Sequence, residues 1–281
     1  MKRFFLAGCL GITFIAAAVG QSLNVMTFNI RLNISEKDST NNWSNRKDKV
    51  AGQIRFHQAQ IVGVQEALPH QVQDLHQRLP GYNFVGVARE TNGEFCAIYY
   101  DTARLVVEQQ STFWLSENTE LVGGKGWDAA CPRIVTYARF RDRITQKRFF
   151  VFNTHFDHMG VVARRQSALL LVQKVREIAG KLPVLVLGDF NANPNDEPIK
   201  ILTDRTNPDS LQDSQDLSSE PHYGPLGTFN GFKEVEGAAP IDYIFIKNKV
   251  RILQHATLAE SWKGYFASDH FAVFAKVEIG E

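Results

Sequence analysis

The sequence predicts an α/β fold built as a sandwich of packed sheets, and three observations carry the prediction. Short apolar runs rich in β-branched and aromatic residues recur between turn signals, helical patterns are few, and the connections are uneven in length. A doubly wound sheet or a barrel would alternate strand and helix regularly, which this chain does not.

Taken in order, Leu23 to Ile30 is the first strand, and Asn33 to Asn45 is a long irregular loop. Arg46 to His57 is a helix with Val50 and Ile54 on one stripe. Ile61 to Val64, Phe95 to Tyr100, Ile134 to Phe140 and Phe149 to Asn153 read as strands. From Val161 to Ala179, residues Ala168, Leu171, Val172, Val175 and Ile178 recur at helical spacing, leaving Arg164, Arg165, Lys174 and Arg176 for the wet side. Val184 to Leu187, Ile241 to Ile246 and Phe271 to Val277 complete the strands, and Asp204 to Gly227 is a second long loop. Loops of that length in a compact domain are commonly functional.

Ahead of this domain, Lys2 and Arg3 precede an apolar run from Phe4 to Val19 and small residues before Gln21. That is the layout of a signal peptide at residues 1–20, leaving one domain at 21–281 in a secreted or periplasmic protein. The run is shorter than the roughly 18 apolar residues of a membrane span, so no stable span is expected. A lipoprotein reading of Leu6-Ala7-Gly8-Cys9 would end the apolar stretch too early. Without Lys2 and Arg3 the chain carries 29 Lys and Arg against 30 Asp and Glu. That balance, with no basic run interleaved with aromatics, does not support tracking along a polyanion. Cys96 and Cys131 are too few for a disulfide scaffold; two free thiols or one bridge would fit. A domain of this length buries a sufficient core by itself, and a monomer is expected.

The chemistry gathers where apolar strands end. Asn29 closes the first strand and Gln65-Glu66 the next; Asn153-Thr154-His155 close another; Asp189 and Asn191 follow Leu187; Ser268-Asp269-His270 introduce the last. Strand ends meet along one rim of a sheet, and such a set there resembles an active site. Carboxylates with an Asn carbonyl suit a hard cation, Mg²⁺ or Mn²⁺, and no Cys/His spacing for structural zinc is present. Such an ion polarises phosphoryl oxygens, while histidines donate to them or exchange protons, so the inventory favours phosphate-ester hydrolysis.

The motifs MTFNIR, IVGVQE, FNTHFDH, VLGDFNANP, IDYIF and SDHFAV occur in that order between Leu23 and Glu278. In these the chain resembles the endonuclease/exonuclease/phosphatase superfamily, in the style of its exonuclease and deadenylase-like branch. The resemblance implies a DNase-I-like, four-layered α/β sandwich: two packed, mainly antiparallel sheets flanked by helices. It implies Glu66 as principal metal ligand, with Asn29 beside it holding the metal shell or a phosphate oxygen and Asp269 at or near the metal. Asp189 would activate the attacking water and Asn191 bind the scissile phosphate. Asp242 would hold and charge His270, and His155 would donate to the phosphate or leaving oxygen. Some nuclease members place a carboxylate two positions after the first Asn; here Arg31 stands there, which favours one metal over two.

Each residue also has a plainer reading. Asn29, Asp189 and Asn191 are turn formers, and Glu66 alone could be a solvated carboxylate. The order and company of the motifs outweigh these readings. Asp242 in a strand would need a partner, and His270 is the expected one. Arg133, His158 and Trp127 are candidate substrate contacts, Arg133 because its fork suits phosphate; a surface-loop role for His158 and loop packing for Trp127 stay equally open. Trp43 and Arg46, and Tyr223 to Phe229, could shape a pocket or simply pack loops. The expected activity is metal-assisted, in-line hydrolysis of phosphate esters. A phosphodiesterase, a nuclease or 3'-5' exonuclease, comes first. A sphingomyelinase-like phospholipase and a sugar- or inositol-phosphate phosphatase are the alternatives. A silent binding module should have lost Glu66, Asp189 or His270, and this chain retains all three.

Overall fold

The structure, a computed structural model, describes residues 22–233 and 239–280; the expected signal peptide lies outside them. The elements run β1 (Ser22–Asn29), α1 (Trp43–Phe56), β2 (Ile61–Ala67), α2 (Pro69–Arg78), β3 (Tyr82–Val85), β4 (Phe95–Asp101), β5 (Leu105–Trp114), β6 (Ile134–Asp142) and β7 (Arg148–His155). They continue through α3 (Val161–Ala179), β8 (Val184–Asp189), α4 (Glu197–Leu202), β9 (Gln212–Asp213), β10 (Asp242–Lys247), β11 (Val250–Leu258), β12 (Ser261–Trp262), β13 (Tyr265–Phe266) and β14 (Ala272–Ile279).

Two six-stranded sheets form, in the orders β11-β14-β1-β2-β4-β3 and β5-β6-β7-β8-β10-β9. Each is mixed, antiparallel but for one parallel pair: β1 with β2, and β7 with β8. Parallel neighbours need a crossover, and α1 and α3 supply it in the two sheets. Leu23, Val25, Phe149, Val151, Leu185, Leu187, Ile244 and Ile246 fill the space between the sheets. Val50, Ile54, Val72 and Leu75 of α1 and α2 cover the outer face of the first sheet. Leu171, Val175, Ile199 and Leu202 of α3 and α4 cover the second. The result is the expected four-layered sandwich.

Differences from the sequence reading have local causes. The first helix starts at Trp43, within the expected loop. The ten-residue α2 went unread because Val72 and Leu75 are its only buried apolar side chains, too few to show a period. The edge strands β5 and β11 carry bulges at Val107/Gln109 and Ile252/Gln254 that break their alternation. The loop from Asp204 is tied down by β9 on β10 and by a bridge from Tyr223 to Ala256. Cys96 and Cys131 are both free thiols.

Candidate active site

Strand alternation builds the site. On β1 the residues facing the other sheet run Leu23, Val25, Thr27, Asn29; on β7, Phe149, Val151, Asn153, His155; on β8, Leu185, Leu187, Asp189; on β10, Ile246, Ile244, Asp242. Apolar deep in the sandwich, the same face turns polar at its mouth. Register puts His155 opposite Asp189, and Asp189 opposite Asp242, in one row across three strands. Gly188 lets β8 approach β7 there, since a Cβ would stand 2.5 Å from the Thr154 carbonyl oxygen.

The first sheet supplies the facing wall. Where β2 pairs with β4 the register shifts between Val64 and Ala67, and Glu66 takes a φ of 62°, bringing its carboxylate beside Asn29. Arg31 (φ 59°) and Asn191 (φ 46°) share that left-handed conformation. Such strain in non-glycine residues concentrates at functional sites. Beneath lies Arg46, 0% exposed, whose guanidinium donates to the carbonyls of Ile30, Arg31, Asn41 and Ala267. It ties the end of β1 to the segment carrying Asp269 and His270. Ser268 adds a 2.7 Å bond from its Oγ to the Asn29 carbonyl.

Asn29 Nδ2 donates to Glu66 Oε1 at 3.0 Å and to Asp189 Oδ2 at 2.9 Å, while its Oδ1 accepts from the Arg31 N–H. The amide thereby separates two carboxylates that would otherwise repel. The second Glu66 oxygen accepts from the Leu32 N–H. His270 Nδ1 lies 2.8 Å from Asp242 Oδ2, and its Nε2 lies 3.7 Å from Asp189 Oδ2. On the other side of Asp189, His155 Nε2 stands at 3.5 Å and accepts from Asn191 Nδ2 at 3.0 Å. Arg31 Nε is 3.5 Å from Asp269 and 2.9 Å from Glu36. Of these groups, Arg31, Glu66, His155, Asp189, Asn191, Asp269 and His270 line a cleft of about 420 Å³.

This constellation can be set against known proteins. The endonuclease/exonuclease/phosphatase family matches residues 26–270. The chain belongs to that family. An endonuclease/exonuclease/phosphatase from Bacteroides vulgatus is 39% identical with a TM-score of 0.88, over 93% of this chain and 100% of that one. A mannosyl-6-phosphatase of Bacteroides thetaiotaomicron is 32% identical with a TM-score of 0.84, over 91% and 99%. Drosophila melanogaster Nocturnin is 27% identical over 173 residues, 56% of this chain. The chain spans 60% or less of the length of the curated relatives it matches. The second of these structures is by its name a phosphate-ester hydrolase.

In this family member the electrostatics divide the work. Burial would depress His270, but Asp242 and Asp189 outweigh it and push the imidazole up to about 10. Burial and Asp242 raise Asp189 above the usual carboxylate range, against the pull of His270 and the bonds from Asn29 and Asn191. Burial, then the charges of Arg133 and His270, hold His155 well below its ordinary value and therefore neutral. For Glu66 the His270 charge and the Leu32 and Asn29 bonds overcome burial and lower it.

Glu66, Asp189, Asp242 and Asp269 outnumber the cations set among them, protonated His270, Arg46 and an Arg31 shared with Glu36. A divalent cation would balance that excess, and the all-oxygen carboxylates fit a hard one. Among the described residues, two groups of His, Cys, Asp or Glu have ligand atoms within 4.8 Å of one another: Asp189, Asp242 and His270, and Cys131, Asp157 and His158. In the first, His270 Nδ1 already bonds Asp242 Oδ2, which leaves Asp242 Oδ1 buried without a partner. In the second, Asp157 is saturated by the N–H groups of Met159 and Gly160, and Arg133 stands among the ligands.

The structure thus gathers Asn29, Glu66, His155, Asp189, Asn191, Asp242, Asp269 and His270 at one mouth, with Arg133 and His158 on the cleft's inner wall. Trp127 is not among the lining residues; its N–H contacts Glu117, and its neighbour Asp128 caps α3 through the N–H groups of Val162 and Ala163. Trp43 and Arg46 are buried packing, the Trp43 indole bonded to Asp74. Phe229, 47% exposed, lines the cleft 5.1 Å from the His270 ring. Arg89 and Glu94 also line it and were not foreseen, because no strand-end pattern marks the hairpin that carries them.

Proposed function

We propose that this chain is an exported, divalent-metal-dependent phosphatase acting on small phosphate esters, with sugar phosphates foremost. The observation that carries the reading is the charge balance of the cleft. Each arginine lining it is matched by a carboxylate: Arg31 by Glu36 and Asp269, Arg89 by Glu94, Arg133 by Asp157. No surplus is left to neutralise the successive phosphates of a nucleic acid, where affinity comes chiefly from such contacts. A volume of about 420 Å³ suits a small ligand, and likeness to a mannosyl-6-phosphatase along nearly its whole chain supports the same substrate class.

Glu66 with Asp269 would hold Mg²⁺ or Mn²⁺, which when bound would polarise a phosphoryl oxygen and stabilise its developing charge. Asp189, raised toward neutrality and aimed by Asn29 and the Asn191 N–H, takes a proton from the attacking water. His270, charged by Asp242, donates to a phosphoryl oxygen, and Asn191 holds His155 beside the same group.

The test is a panel of p-nitrophenyl phosphate, bis-p-nitrophenyl phosphate, hexose phosphates, sphingomyelin and short oligonucleotides, each with Mg²⁺, Mn²⁺ or chelator. Hexose phosphates should give the highest kcat/KM, chelator should stop turnover, and Asp189→Asn should lower kcat by about 10³-fold or more. Faster cleavage of oligonucleotides, or turnover indifferent to chelator, would refute the reading.

A further inference from the structure

The inner wall of the cleft holds Arg89, Glu94, Cys131, Arg133 and His158. Its two arginines are braced. Arg89 clasps Glu94 through Nη1 to Oε2 at 2.9 Å and Nη2 to Oε1 at 2.8 Å. Arg133, 5% exposed, donates from Nε to Asp157 Oδ2 at 3.3 Å and lies with Nη2 3.0 Å from His158 Nδ1. That second contact decides a tautomer. A guanidinium only donates, so His158 Nδ1 must accept and the ring proton sits on Nε2. His158 is exposed, so the wall presents a fixed N–H donor.

Glu94 presents the complementary acceptor. Each of its oxygens has one contact to Arg89, and a carboxylate oxygen carries two lone pairs, so one per oxygen remains. Burial raises its carboxyl above the usual range against the pull of Arg89, and the charges of Glu66 and Arg133 both reach it; it lines the same cleft as both and as His158. Arg133 Nη1 is buried without a partner, so this wall retains unspent hydrogen-bonding capacity. Arg89 and Arg133 are cancelled by Glu94 and Asp157, so the wall has no net charge to attract a second anion. A neutral surface offering one donor and one acceptor matches neighbouring hydroxyl groups, each of which both donates and accepts.

We propose that Glu94 and His158 form a hydroxyl-reading subsite: Glu94 accepts from one hydroxyl of the substrate's alcohol portion and His158 Nε2–H donates to the next, while Arg89 and Arg133 hold the pair in place. The subsite selects phosphate esters of polyhydroxylated alcohols and rests on the phosphatase reading above. A site built to bond a hydroxyl discriminates strongly against a substrate lacking it, because its own polar groups are then left unpaired.

The experiment compares kcat/KM for glucose 6-phosphate and mannose 6-phosphate with that for p-nitrophenyl phosphate, in wild type, Glu94→Gln and His158→Ala. The hexose-to-nitrophenyl ratio should fall at least tenfold in each variant, and inhibition of nitrophenyl phosphate turnover by free hexose should weaken in parallel. His158 is exposed, so its variant should keep the wild-type melting temperature even if Glu94→Gln disturbs the hairpin. A ratio within twofold of wild type in both variants would overturn the subsite. So would a wild-type enzyme that turns over nitrophenyl phosphate but shows no preference for either hexose phosphate, a result that leaves the phosphatase reading standing. Failure to hydrolyse any monoester would remove both.

Discussion

Asn153 should be worth more to stability than any exposed site residue. It is fully buried between the sheets: Nδ2 donates to the carbonyls of Val64 at 3.0 Å and Ala97 at 2.9 Å, and Oδ1 accepts from Gln65 Nε2 at 2.7 Å. Asn153→Ala strands those three groups, at about 1–2 kcal/mol each, for a cost of about 3–5 kcal/mol. The midpoint of thermal unfolding should fall by about 10 °C for a domain of this size. Gly63 lies against the same amide, and a Cβ there would stand 2.7 Å from Asn153 Oδ1, 2.9 Å from its Cγ and 3.0 Å from Leu187 Cβ. Gly63→Ala alone should therefore cost about 1–3 kcal/mol through overpacking. Once Asn153 is alanine, two of those three contacts vanish, so the double variant should be more stable than the summed singles by about 1 kcal/mol or more. Urea unfolding followed by tryptophan fluorescence measures all four corners of the cycle. An Asn153→Ala cost below about 1 kcal/mol, or strict additivity, would refute the claim that this amide bolts the two sheets together.

Further outcomes follow from other parts of the molecule. Mn²⁺ at about a hundred times its dissociation constant should stabilise the wild type by about 2.7 kcal/mol, and Glu66→Gln should abolish most of that shift in a thermal melt. Burial, with His222 beside it, depresses His255 to about 3. The unfolded chain then takes up a proton below about pH 6.5 that the folded chain refuses, and stability falls with acidification through that window. His255→Asn should make the loss between about pH 6 and pH 4 shallower, by up to about 1.4 kcal/mol per pH unit, as urea midpoints across pH would show. Asp128→Ala removes the acceptor for the Val162 and Ala163 N–H groups at the start of α3. It should cost about 1 kcal/mol, read as a lower urea midpoint with an unchanged slope.

The sequence made the sandwich and its site legible because both rest on period-two alternation. Leu23, Val25, Thr27 and Asn29 show in one strand that the inward face turns polar, and the same change recurs at His155, Asp189 and Asp242. What stayed hidden depends on contacts far apart in sequence. Glu94 became a wall residue through Arg89 and the hairpin that pairs them. Trp127 is a candidate substrate contact by sequence, yet it is not among the residues lining the cleft, and its neighbour Asp128 is engaged in capping α3. For Arg46 the sequence leaves a pocket role and loop packing both open; four carbonyl groups from separate segments consume its guanidinium, which decides for packing.

The two walls of the mouth come from different sheets, Glu66 and Asn29 from one, His155, Asp189 and Asp242 from the other. A chain that has formed each sheet but not yet docked them holds no complete set of reactive groups. The proposed hydrolysis would therefore require docked sheets, and molecules short of that state would be chemically silent rather than indiscriminate. Turnover would then report sheet docking, and loosening the Asn153 bolt should extinguish it before either sheet has melted.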